Sequence, residues 1–79
     1  MPLHAAKVSK SPRLQRVLDY LKWMAQPSGF GWATTRAIID RANVCAVNSC
    51  VAELRANGYD IECKRDGGVW WYRLREDGE

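Results

Sequence analysis

The sequence is poor in the residues from which catalytic and metal sites are built. It has one histidine, His4, close to the N-terminus, so no Ser–His–Asp arrangement can be assembled around a central imidazole. The three cysteines, Cys45, Cys50 and Cys63, form no CxxC pair, which argues against a zinc site and against a disulfide framework. No GxxxxGK[ST] phosphate loop is present, and Gly29-Phe30-Gly31 is too short to replace one. The acidic residues are scattered or gathered in the last four positions, so no carboxylate pair is indicated. The expectation is a protein that is not an enzyme, with no cofactor, no metal and no small-molecule substrate. Long apolar runs are also missing. The longest are four residues, Val44–Val47 and Val69–Tyr72, where a membrane span needs roughly 20. The opening MPLHAAKVSK lacks the apolar core of a secretory signal. Free thiols point to a reducing compartment, the cytoplasm.

At 79 residues, 47% hydrophobic and 27% charged, the chain has the composition of one small folded domain. Its charge is uneven. Lys7, Lys10, Arg13, Arg16 and Lys22 face only Asp19 in the first 22 residues. Glu76, Asp77 and Glu79 close the chain, and without them twelve basic residues stand against six acidic ones. A basic body of this size fits a polyanion. The expected organisation is a flexible basic arm over 1–10, a domain over 11–75 and an acidic tail over 76–79.

Ser11-Pro12 is a helix start, because Ser caps free amides and Pro fits the first helical position. Leu14, Val17, Leu18 and Leu21 then recur at one-face spacing, extended by Met24 and Ala25, which predicts a helix over 12–25 before Pro27. Trp32 follows a loop and is expected to pack inward, on a very short strand. Thr34 or Thr35 caps a second helix with Ile38, Ile39 and Ala42 inward, and Asn43 stops it. Val47, Cys50, Val51 and Leu54 mark a third helix, ended by Gly58. The two helices are then joined by about three residues, Asn43-Val44-Cys45, a helix-turn-helix. Tyr59, Ile61 and Cys63 alternate with polar residues, Asp66-Gly67-Gly68 signals a tight hairpin, and Trp70, Tyr72 and Leu74 share one face of the return strand. The order predicts a mainly α winged helix-turn-helix, three helices plus a two-stranded hairpin with a short third strand. Its expected core is Leu14, Val17, Leu18, Leu21, Trp32, Ile38, Val44, Val47, Val51, Leu54, Ile61, Trp70, Tyr72 and Leu74, with the cysteines as small core residues.

The stretch from Val47 to Ile61, with Glu53-Leu54-Arg55 and Gly58-Tyr59-Asp60-Ile61, resembles a small helix-turn-helix family common in phages and prophages. The family pattern reads roughly L-x-x-x-I-x-E-L-R-x-x-G-Y-x-I, with a wing ending in Y-x-L, matched by Tyr72-Arg73-Leu74. The resemblance covers about residues 12–75. It implies a DNA-binding fold acting as a transcription regulator or as an excisionase-like accessory factor. The inter-helix turn departs from the commonest winged-helix repressors by being about two residues shorter.

In such a fold the third helix enters the major groove, N-terminal part first. Asn48 and Ser49 would read base edges, and Ala46 or Ala52 would meet a thymine methyl. Thr34, Thr35 and Arg36 would contact phosphates, with Arg41 a weaker candidate. Lys64 and Arg65 would act from the wing, and Lys7, Lys10 and Arg13 from the arm. This helix presents no Lys or Arg before Arg55 and includes Glu53, although Arg to guanine is the commonest specific contact. Arg55 is assigned to packing against the hairpin or to pairing with an acid. Trp71 and Trp23 lie off the core faces and form the start of an apolar patch, which fits a homodimer or a protein partner. The competing reading is a winged helix used as a protein-interaction module, through the third helix or the Trp-rich wing.

Overall fold

The computed structural model describes residues 7–27 and 29–75. Helix α1 spans Pro12–Ala25, strand β1 Ala33–Thr34, α2 Thr35–Ala42, α3 Val47–Ala56, β2 Ile61–Asp66 and β3 Val69–Leu74. The strands form one antiparallel sheet in the order β1-β3-β2. This is the mainly α arrangement with a hairpin wing and a short third strand that the sequence predicts.

Local chemistry sets the helix ends. The Ser11 hydroxyl accepts from the Leu14 amide at 3.3 Å, and Pro12 occupies the first turn of α1. Thr34, not Thr35, caps α2, its hydroxyl accepting from the Ala37 amide at 3.0 Å. Asn43 ends α2 in the left-handed region at φ 54°. Arg16 closes the same end from α1, donating to the carbonyls of Ala42 at 2.8 Å and Asn43 at 3.3 Å. At the end of α3 the Gly58 amide bonds Arg55 O and the Tyr59 amide bonds Leu54 O, the paired closure that Gly58 allows at φ 98°. The connection between α2 and α3 runs Asn43–Ala46. It is one residue longer than expected, because α3 starts at Val47 behind Ala46, which supplies no side-chain cap.

The core fills the space between the three helices and one sheet face. Leu14, Val17, Leu21, Ile38, Cys50 and Leu54 are its fully buried members. Ala33 and Ala42 join it. Two aromatic residues expected in the core do not. Trp32 is half-buried and Trp70 is 45% exposed. Ile61 pairs with Leu74 at the base of the hairpin, where both are buried, whereas Arg65 and Trp70 pair near the tip. Alternation assigns Trp70 the correct face, but the wing projects beyond the core there. Cys45 and Cys63 are exposed, so only Cys50 is the small core residue expected of all three. Gly67 and Gly68 make the two-residue turn with φ 60° and 81°, the double positive φ that this hairpin type demands.

The expected free arm is corrected in its last residues. Val8–Lys10 form a 3-10 turn, with the Val8 amide donating to Asn57 Oδ1 at 3.2 Å and Gln15 Nε2 donating to Val8 O at 3.0 Å. Residues 1–6 of that arm, His4 among them, and the acidic tail 76–79 lie outside the described residues.

On the sheet face away from the core, Glu62 accepts from Nε and Nη2 of Arg73 and from Arg75 Nη1 at 3.2 Å. The Arg73 hydrogen bonds chiefly hold its carboxyl below the ordinary value of 4.5. A carboxylate lowered on folding stabilises the fold above its unfolded value, and that contribution is lost as pH falls through the folded one. Glu62→Gln is therefore expected to flatten the stability–pH curve below about pH 4.5, read by urea unfolding at a series of pH values. A curve of unchanged steepness would remove Glu62 from the acid response.

Candidate nucleic-acid interface

The N-terminal half of α3 projects Ala46, Asn48, Ser49 and Ala52 to solvent, and all four are exposed. Their inward neighbours Val47, Cys50 and Val51 are buried, as the helical period requires. Asn48 is anchored. Its Oδ1 accepts from the Tyr72 hydroxyl at 2.8 Å, and Tyr72 is itself buried in β3. One lone pair of Oδ1 is thereby used, and a second lone pair and both amide hydrogens remain. That set still matches the N6 and N7 edge of adenine, now on a side chain whose rotamer is held.

Glu53 turns toward α1. Arg13 Nη2 reaches its carboxylate oxygens at 3.2 and 3.4 Å, and Nη1 of the same guanidinium donates to Cys50 Sγ at 3.1 Å. Hydrogen bonds to Glu53 and Cys50 raise the Arg13 pKa further. Arg13 is therefore a structural partner of α3 and not a member of a mobile basic arm. The pairing also shields the one acidic side chain of the α3 surface.

The wing residues Lys64 and Arg65 sit on opposite faces of the hairpin. Lys64 is opposite Trp71, on the face turned away from α3, and its Nζ lies 4.3 Å from the Trp32 ring centroid. Arg73 Cζ lies 4.6 Å from the same ring. Trp32 is thus held between the loop before β1 and the wing by two cations. Arg65 is opposite Trp70, on the face shared with Tyr72, and its guanidinium lies 6.0 Å from the Trp70 ring. Between this face and α3 runs a slot of about 270 Å³ lined by Asn48, Val51, Arg55, Cys63, Trp70 and Tyr72. Arg55 is tied within it, Nε and Nη2 donating to Ile61 O at 3.1 and 2.6 Å. This matches the packing assigned to it from sequence.

Other expected contact residues are more dispersed. The Thr34 hydroxyl is engaged in its own cap, Thr35 is half-buried, and Arg36 is exposed and 3.7 Å from Asp40 one turn on. Such an exposed pair is weak and leaves Arg36 able to meet a phosphate. Lys7 precedes and Lys10 ends the 3-10 turn bonded to Asn57, at the C-terminal end of α3. Asn57 is nine positions beyond Asn48, roughly 14 Å along a helix axis. The slot brings Asn48 together with Arg55, Trp70 and Tyr72. Arg65 lies beside Trp70 on the same face of the wing, Lys64 lies on the other face, and Arg13 meets α3 at Cys50 and Glu53. Trp70, expected in the core, lines this slot instead. Its position beside the hairpin turn was the signal that it would lie past the core.

Comparison with protein-family models, with curated proteins and with solved structures finds no match. Among the described residues no group of three or more His, Cys, Asp or Glu side chains could hold a metal ion, and no helix is long and apolar enough to cross a membrane.

Proposed function

We propose that the chain binds double-stranded DNA as a winged helix-turn-helix protein, acting as a transcription regulator or as an excisionase-like accessory factor of a phage or prophage. The observation that carries this reading is the cleft between α3 and the wing. An exposed helix end with small and amide side chains lies on the same side as an exposed Arg65–Trp70 pair. In this reading Asn48, Ser49, Ala46 and Ala52 meet base edges, while Arg65 and Trp70 follow the adjacent backbone or minor groove. Arg36 and the start of α2 supply phosphate contacts. The protein works without cofactor or catalysis, and its unpaired cysteines suit the reducing cytoplasm of a bacterial host.

The test is a titration of random-sequence duplex DNA at two salt concentrations. Each neutralised phosphate steepens the salt dependence by about 0.9 log units. Arg65→Ala is expected to weaken binding to every sequence and flatten that slope by about one contact, whereas Lys64→Ala leaves it nearly unchanged. Asn48→Ala is expected to lose roughly 1–3 kcal/mol of discrimination at one or two base pairs of a selected site. No binding at low salt would overturn the reading. A protein-interaction module would take its place, a reading favoured by the absence of any Lys or Arg on α3 before the tied Arg55.

A further inference from the structure

A depression lies away from the α3 cleft. It has a volume of about 480 Å³, and its aromatic walls are Tyr20, Trp23, Phe30, Trp32 and Trp71. Two of these aromatic residues are unusually exposed for their type. Phe30 is 91% exposed and Trp23 is 57% exposed. They are not on a loosely tethered loop. The Gly31 amide donates to Met24 O at 2.7 Å and the Gly29 amide to Gln26 O at 2.8 Å, which fold the loop back on the end of α1. Tyr20 and Trp23 stack at 6.3 Å. The Trp71 indole Nε1 is buried without an acceptor among the described residues. A second depression of about 400 Å³ shares Tyr20, Trp23 and Arg41 with the first and adds Asp19 and Arg16. Among the described residues neither Asp19 nor Arg41 has an ion-pair partner.

We propose that this face is a twofold interface between two copies of the chain. A patch that binds itself must carry both halves of every contact. This one does, with a projecting Phe30 beside a hollow of aromatic walls, and an unpaired anion beside an unpaired cation. The pairing assigned is Phe30 of each copy in the hollow of the other, with Asp19 of each opposite Arg41 of the other. A polyanion does not satisfy this patch, because Asp19 stands beside Arg16 and Arg41 and only a partner carrying charges of both signs answers all three. Nor does the interface obstruct the α3 cleft, since Trp71 and Trp70 are adjacent in β3 and point to opposite faces of the hairpin. The inference does not rest on what α3 binds.

Sedimentation of the full chain without DNA, from micromolar to millimolar concentration, tests it. The expected result is a monomer–dimer equilibrium, weakened at least 100-fold by Phe30→Ser together with Trp23→Ala and untouched by Trp70→Ala. Phe30→Ser alone, at so exposed a position, cannot act by unfolding the chain and is expected to weaken the dimer at least tenfold. Asp19→Arg and Arg41→Asp are each expected to weaken it, and the double reversal to recover most of the loss. A monomer throughout the range would overturn the proposal. So would a dimer indifferent to Phe30, or a double reversal no better than the worse single variant.

Discussion

Alanine at position 29 is expected to lower the unfolding free energy by about 1–3 kcal/mol, the range for forcing extra volume into a packed site. A Cβ there would stand 2.4 Å from Met24 O and 2.9 Å from the Met24 C and Cα atoms. These are backbone atoms of the last turn of α1, and the carbonyl is already engaged by the Gly31 amide at 2.7 Å. It cannot swing away without losing that bond. Gly58 is the comparison. It has φ 98° and open space where a Cβ would stand, so alanine there is opposed by backbone conformation alone, at roughly 1–2 kcal/mol. Urea unfolding followed by tryptophan fluorescence and by circular dichroism reads both. A domain of this size has only several kcal/mol in total, so the Gly29 variant should show a large shift in midpoint. It should also disturb Phe30 and the hollow beside it. A loss at position 29 no greater than at 58 would mean that the loop relaxes, and that Gly29 is not required for its closure.

The signals legible in the sequence were those that act within a few residues. Ser11 and Pro12 start α1 where expected, and Asn43 ends α2 through a left-handed conformation that its neighbours could not adopt cheaply. Gly58 closes α3, and Gly67-Gly68 makes the turn that their pattern predicts. What alternation could not show is where along the hairpin the core stops. Tyr72 and Leu74 are buried, while Trp70, on the same face and two residues nearer the tip, is not. Lys64 and Arg65 illustrate the same limit. They are neighbours in sequence and both cationic, but a strand sends them to opposite faces, one over Trp32 and one over Trp70.

Contacts between distant segments were the illegible part. Nothing local to Arg13 indicates Glu53, forty positions away, as its partner. Nothing local to Arg16 indicates the carbonyls that end α2. Both basic residues read as surplus charge from composition, and the structure uses both to fix helices. The basic surface left for a polyanion is accordingly narrower than net charge implies. Its weight shifts to Arg65 and Arg36, with Lys7 and Lys10 at the far end of α3.

Among the described residues, hydrogen-bonded ties join α3 to the wing at two places along the cleft. One joins Asn48 to Tyr72, and the other joins Arg55 to Ile61 O. The second is the stronger, because a charged guanidinium gives both donors to one carbonyl at the first residue of β2. Arg55→Met keeps an unbranched stem and removes both donors. It is expected to destabilise the fold by about 1.5–3 kcal/mol, the range for hydrogen bonds to charged groups. Arg55→Lys should recover less than half of that, since an ammonium cannot reproduce the fork. Amide hydrogen exchange should show β2 opening more readily in the methionine variant while α1 changes only with global stability. DNA affinity would then fall through a loosened wing, with the salt slope nearly unchanged. The opposite pattern, full stability with a slope reduced by about one phosphate contact, would instead make Arg55 a DNA ligand.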